Sequence, residues 1–425
     1  MREQSILDLL QKELVVAVGC TEPVAIALAS ATAKKYITDQ VQNVEVLASG
    51  NVIKNAKSVG IPGTKTTGLD FAAALGIVAG DASKQLEVLA DATSKDEENA
   101  LKLLSEKKVT VSLADSSTKL FIEIKLYGEN EYSRVIISED HTNISLIEVN
   151  GETIYEQESV SKKKDDTTNT DESSLTIDSI FEFVKEVDVK HLALVQKSIE
   201  LNFAIGEEGL KNEYGLNVGK TIQENVKKGI LSDDLVSYSM SLASAGSDAR
   251  MAGSLSPVMA NSGSGNQGIA VTLPVVAVGK KLGVDKETML RAVTLSHLIT
   301  IHIKEKFGRL SALCGVTAAG MGASGAIVYL LGGELPHVKA AVQNTIGNVS
   351  GMICDGAKAG CAMKVSTCTS AAVQSAIMAL NNKEIQSTDG FIHDDVEKSI
   401  ENFCRLGNEG TNETDKLVLK MMLEK

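Results

Sequence analysis

From Val109 to Val149 the chain is written in short β-branched runs broken by turn residues, and after about Leu175 that alternation does not return. The runs Leu120–Leu126, Tyr132–Ile137 and Ile144–Val149 are followed by the turn signals Gly128-Glu129-Asn130, Asp140-His141-Thr142-Asn143 and Asn150-Gly151. Such spacing predicts an antiparallel meander. Upstream, apolar Ile6, Leu9, Leu10 and Leu14 predict an amphipathic helix over Glu3–Val18. The Gly19–Pro23 turn ends it, with Thr21 as cap and Pro23 tolerated in the first turn of a second helix through Tyr36. Strands are expected at Val44–Ala48 and Val109–Leu113, with a charged helix over Lys95–Lys107 between them. From Leu175 the 3.6-residue period predicts helices over Ile177–Val187, Leu192–Ile205, Asp234–Ala245, Asp285–Ile303, Leu335–Val349, Ser366–Ala379 and Asp394–Cys404. The expected fold class is therefore α+β. An N-terminal α/β domain with antiparallel strands (1–156) leads through a polar linker (157–174) into a larger all-α domain (175–425).

Composition narrows the function. With 35 glycines, no Trp and few other aromatics, the helices are expected to pack closely through small residues. A net charge of −13 argues against nucleic acid, which asks for a basic surface. Lys162-Lys163-Lys164 is followed at once by Asp165-Asp166, so it reads as solvated linker. The uncharged stretches Met251–Gly279 and Leu310–Gly333 hold Ser, Asn, Gln, Thr and Gly, and read as buried bundle segments with no membrane role. The first residues read as an amphipathic helix in place of a signal peptide's apolar core, and six cysteines without close regular pairing point to a reducing cytoplasm. Helical surfaces rich in small residues suit a homodimer.

Four cysteines carry the chemistry. Cys20 lies in the Gly19-Cys20-Thr21-Glu22-Pro23 turn, just before a helix start that favours a thiolate. Glu22 opposes that, because a nearby carboxylate raises a thiol pKa. Cys314, Cys354 and Cys361 lie far downstream in Gly/Ala-rich sequence. Three thiolates on a cluster that wants four leave one iron open, which suits a Lewis acid better than an electron carrier. In a straight helix Cys354 and Cys361 would be about 10.5 Å apart in rise. Cluster sulfurs sit about 6 Å apart, so Gly356 and Gly360 would have to bend the loop. Buried cysteines without ligands fit the same spacing. Cys368, seven residues on, is read as a core thiol in preference to a fourth ligand, and Cys404 as structural.

Other motifs are weaker. Ser262-Gly263-Ser264-Gly265-Asn266-Gln267-Gly268 contains a G-x-G-x-x-G, but no strand is expected before it and no βαβ unit around it. A loop whose N–H groups face a substrate carboxylate, or a plain turn, fits better. Gly215–Thr221 is one residue short of a Walker A motif. Lys54-Asn55-Ala56-Lys57 opens a turn-rich segment through Pro62-Gly63, where either lysine could neutralise a carboxylate or simply face solvent. His297 and His302, five apart, make a poor metal pair.

Taken in order, the Gly19–Pro23 turn, Lys54-Asn55 through Ile61-Pro62-Gly63, Ser262–Gly268 and the Cys314/Cys354/Cys361 triplet resemble the L-cysteine desulfidase family, which is related to the α portion of iron–sulfur L-serine dehydratases. The resemblance spans essentially the whole chain. It implies a [4Fe–4S] cluster on Cys314, Cys354 and Cys361, a catalytic Cys20 with Glu22 as the fallback base, and no pyridoxal phosphate. It further implies an amino-acid substrate, converted from L-cysteine to hydrogen sulfide, pyruvate and ammonia. Lys54 or Lys57, Asn55 and the Ser262–Gln267 loop would orient that substrate. The Ser-His-Thr turn of the serine dehydratases is absent. L-serine dehydration, a non-catalytic redox sensor and a pyridoxal-dependent lyase stay as alternatives.

Overall fold

A computed structural model describes residues 3–116, 118–157, 175–307 and 313–424. The linker lysines and all of 158–174, and residues 310–312 of the second uncharged stretch, lie outside the described residues. The chain opens with helix α1 (Glu3–Glu13), strand β1 (Leu14–Ala17), helix α2 (Thr21–Lys34), strand β2 (Asn43–Ala48) and helices α3 (Gly50–Ala56), α4 (Leu69–Ala79) and α5 (Ser94–Ser105). Strands β3 (Val109–Leu113), β4 (Phe121–Tyr127), β5 (Tyr132–Ser138), β6 (Ile144–Val149) and β7 (Glu152–Glu156) follow. They form one six-stranded sheet in the order β3-β2-β4-β5-β6-β7, in which only β2 and β3 run parallel. The meander is present as expected and gains a fourth strand, β7. Its Glu-Thr-Ile-Tyr-Glu sequence is exposed at every position, so it shows no buried face to read. Val44, Val46, Ile122, Ile124, Leu126, Val135 and Ile137 cover one face of the sheet and pack against α2 and α4.

Helices make up nearly all the rest: α6 (Ile177–Glu186), α7 (Ala193–Lys211), α8 (Val218–Lys227), α9 (Leu235–Met251), α10 (Gly265–Leu282), α11 (Lys286–Phe307), α12 (Gly315–Leu330), α13 (Leu335–Val349), α14 (Cys361–Leu380), α15 (Val396–Arg405) and α16 (Asn412–Leu423), with one short strand, β8 (Val258–Asn261). Small residues set the helix spacing. A Cβ on Gly209 of α7 would fall 2.0 Å from the Ala245 carbonyl oxygen of α9, and one on Gly322 of α12 would fall 2.4 Å from that of Ser296 on α11. No helix among the described residues is long and apolar enough to cross a membrane.

Two expectations change. The first helix ends at Glu13, and Leu14–Ala17 turns into β1, which pairs antiparallel with β8 (Leu14 opposite Asn261). A strand does therefore precede the glycine loop after Asn261. Its four residues between Pro257 and Ser262 were too few to show a period, and its partner lies near the other end of the chain. With an antiparallel pair and no βαβ unit, the loop still lacks a dinucleotide setting. The chain ends also cross over. Ile6, Leu10 and Leu14 enter the core of the helical region, while Leu419 of α16 packs against the core of the sheet region.

Candidate functional site

Each sequence motif is carried to one place by a specific backbone contact. Gly19, at φ +64°, sits so close to Pro62 that a Cβ would lie 2.4 Å from its Cγ. The Gly19–Pro23 turn is thereby seated on Ile61-Pro62-Gly63. That segment in turn binds the end of α9: Gly60 N–H donates to Met251 O (2.9 Å) and Gly63 N–H to Gly253 O (3.0 Å). Ser58 bridges to Lys358, which ties the same loop to the cysteine segment. Downstream, Leu313 bridges to Ile353, and Cys314 N–H donates to Met352 O at 2.8 Å. This short antiparallel contact sets residue 314 opposite residue 352, with the Cys354 thiol within its reach.

The three downstream thiols meet there. Cys314 precedes α12, Cys354 lies in the loop and Cys361 begins α14, so the loop bends as two glycines between the last two cysteines allowed. The Cys314 thiol donates to Cys354, which raises Cys314 and lowers Cys354. The charges of Lys54 and Lys364 and the Gly356 N–H also hold Cys354 down. Burial pushes Cys361 up, with Cys354 close enough to add to the effect. Cys20 is next in this row. It is 3% exposed, touches Val59 and Met251, and lies against Ala357 and Cys361. Burial pushes its thiol up to about 11 against the pull of the Arg250 guanidinium, so the free protein holds Cys20 protonated. Cys20, not Thr21, occupies the cap position of α2.

No three His, Cys, Asp or Glu side chains among the described residues close around a single ion. A four-iron cluster, with ligand sulfurs about 6 Å apart, does not require that. Cys368 stands behind Cys314 in the core, its thiol 3.8 Å from the Met352 sulfur and pushed up to about 12 by burial. Cys404 lies in the other helical core and donates to Ile303 O at 3.5 Å.

Gly356 positions this loop. Its φ is +92°, and a Cβ would lie 1.8 Å from the Lys54 carbonyl oxygen. Gly356→Ala combines left-handed strain with a backbone clash, at a cost of about 3 kcal/mol or more. Thermal unfolding is expected to show a clear drop in Tm for this variant. Gly351→Ala, with no atom within 4 Å of the new methyl, should melt close to wild type.

Of the remaining candidates, Asn55 donates to Glu22 Oε1 at 2.8 Å, joining α3 to the Cys20 turn. Lys54 and Lys57 lie on and just after a helix rather than in an open turn, and both are engaged. Lys54, 4% exposed, pairs with Asp415 of α16 at 2.5 Å, and Lys57 donates to Met422 O. Ser262 and Gly263 take positive φ, and Ser264 caps α10 by accepting from Gln267 N–H (3.3 Å). Sequence reasoning missed Arg250, which donates to Gly19 O at 2.8 Å. Its run Asp248-Ala249-Arg250 has no motif form, and only burial of a cation in the middle of the molecule marks it.

Behind the loop, His297 fixes its register. Asn261 Nδ2 donates to His297 Nδ1 (3.0 Å), while Asn261 Oδ1 accepts from Ser262 Oγ (3.0 Å) and Gln267 Nε2 (2.9 Å). That leaves His297 Nε2–H for Ser198 Oγ at 2.9 Å. Burial pushes His297 down to about 3. The unfolded chain takes up this proton near 6.5, while the folded chain refuses it until about 3. The stability is thus full above pH 6.5 and is lost as pH falls below it, at about 1.4 kcal/mol per pH unit. Urea unfolding at pH 7, 5.5 and 4.5 should show this slope, and His297→Gln should lose about one proton's worth of it.

The chain resembles known proteins along its whole length. A family model described as serine dehydratase alpha chain matches residues 83–420. A UPF0597 protein of Oleidesulfovibrio alaskensis is 45% identical over 420 residues, covering 99% of this chain and 97% of its own. One from Parabacteroides distasonis is 41% identical over 420 residues (99% and 98%), and one from Bacteroides fragilis 41% over 425 residues (99% and 98%). The match runs from the sheet through all three downstream cysteines to α16, and on that footing the chain belongs to the serine dehydratase alpha-chain family.

Proposed function

We propose that the protein is an L-cysteine desulfidase, a carbon–sulfur lyase that converts L-cysteine and water to hydrogen sulfide, pyruvate and ammonia. The observation that carries this reading is the row of thiols in which Cys20 meets Cys361, Cys361 feels Cys354, and Cys354 accepts from Cys314. The residues fit a [4Fe–4S] cluster. Three sulfur donors from two helix starts and one loop converge, one of them already held toward thiolate by Lys54, Lys364 and a backbone N–H. Cys314, Cys354 and Cys361 would hold the cluster. When bound, it supplies an iron without a protein thiolate, a Lewis acid that accepts sulfur and eases departure of sulfide.

The chain's own groups do the rest. Cys20, or Glu22 two residues on, takes the Cα proton. In the free protein the Cys20 thiol must first pass its own proton on, for which the Glu22 carboxylate near it is the acceptor, and the positive charge of Arg250 favours that loss. The first N–H groups of α10 receive the carboxylate, and the polar residues of Ser262–Gln267 hold the rest of the substrate's head group. Burial of the Cys20 side keeps bulk water away from the proton transfer. The enamine left after sulfide departs tautomerises and hydrolyses without further catalysis.

L-serine dehydration is the second reading, favoured by the family to which the chain belongs. Anaerobic purification followed by sulfide and pyruvate assays decides. The expected result is one sulfide per pyruvate from L-cysteine, with slower turnover of L-serine, and iron with acid-labile sulfide in the protein. Faster pyruvate from L-serine selects the second reading. No pyruvate from either leaves a redox sensor, and a pyridoxal spectrum without iron refutes the cluster.

A further inference from the structure

Arg250 ends α9 with its side chain inside the protein, 6% exposed. Buried charges are ordinarily paired. Among the described residues this guanidinium has no carboxylate at ion-pair distance, and Nη2 spends one donor on Gly19 O (2.8 Å) while Nε has no partner. It lies flat against the start of α10. A Cβ on Gly265 would fall 2.2 Å from Arg250 Nε and 2.6 Å from Cζ. Of the first N–H groups of that 18-residue helix, the Ser264 hydroxyl caps Gln267's. Two buried acceptors on the same turn also lack partners, Asn266 Oδ1 and Gln267 Oε1.

We infer that Arg250 and the first turn of α10 form a receptor for the head group of an α-amino acid. The carboxylate binds Arg250 Nε and the α10 N–H groups, and the ammonium donates to Asn266 Oδ1 and Gln267 Oε1. Arg250 Nε and the two buried acceptors then gain partners that no described side chain supplies. The orientation follows. Arg250 touches the Cys20 turn, which brings Cα toward Cys20. Gln267 Oε1 abuts Gly315, next to Cys314, so the substrate side chain points to the downstream thiols. Lys54, committed to Asp415, is not the carboxylate's partner.

The binding claim deepens the lyase reading but is tested apart from it. L-alanine carries the head group without a leaving group, L-alaninamide lacks the carboxylate and propionate lacks the ammonium. With anaerobic holoprotein, L-alanine is expected to raise Tm while the other two leave it unchanged. Arg250→Gln should bind L-alanine at least about 30-fold more weakly in titration calorimetry, with Arg250→Lys between the two and iron content unchanged in both. Gly265→Ala, whose methyl displaces the guanidinium, should copy the loss. If Arg250→Gln does not fold, the Gly265→Ala titration and the three-ligand comparison on wild type decide. Arg250→Gln binding L-alanine within about threefold of wild type overturns the proposal, as does a wild type that treats L-alanine and L-alaninamide alike. Head-group binding through Arg250 without pyruvate from L-cysteine would refute the lyase reading alone. Sulfide and pyruvate production that survives Arg250→Gln with unchanged KM would refute this inference alone.

Discussion

Cys354→Ala is expected to abolish both the brown colour and the turnover of anaerobically purified protein, with activity falling by at least about 10³-fold. Cys354 is the middle thiol of the three. It accepts from Cys314, is felt by Cys361, and is the one that Lys54, Lys364 and the Gly356 N–H push toward thiolate. Its removal leaves thiols at two helix starts with nothing between them. Because Cys354 is only partly buried in its loop, the fold should persist and far-UV circular dichroism should match wild type. Iron and acid-labile sulfide per chain give the reading. A variant that keeps wild-type iron and its visible spectrum would remove Cys354 from the ligand set.

Cys20→Ala separates chemistry from assembly. The same iron, sulfide and visible spectrum are expected, with turnover of L-cysteine lowered by about 10²–10⁴-fold, the range for loss of a general base. The substitution takes a buried thiol from a small pocket formed with Val59 and Met251 and leaves the neighbouring turn contacts intact. Near-full activity would move the base to Glu22, and Glu22→Gln, still able to meet Asn55, would then carry the loss. Loss of iron together with turnover would instead make Cys20 part of the metal centre.

How much of this was legible varies with how local the signal is. The meander was readable because each strand carries its own alternation and its own turn, as in Tyr132–Ser138 and Ile144–Val149. Leu335–Val349 was readable to the residue because Glu334 and Pro336 mark its start. β1 and β8 were not, since four residues have no period and each is a strand only because of the other. The candidate site was legible as a set of motifs but not as a geometry. Nothing in the order of residues says that Gly356 rests on the Lys54 carbonyl, or that Leu313 bridges to Ile353. Lys54 misled because Asp415, the carboxylate it meets, lies at the far end of the chain. Arg250 escaped because a lone arginine in a helix of serines and alanines looks like surface until its burial is known.

The pairing of Leu14 with Asn261, and the return of α16 to Lys54, have a temporal consequence. During synthesis the turn bearing Cys20 emerges first, yet its seat is unfinished until β8, the α9 terminus and the loop after Ile353 have left the ribosome. The proposed cluster would therefore be loaded only once Cys361 is in place, on a nearly complete polypeptide.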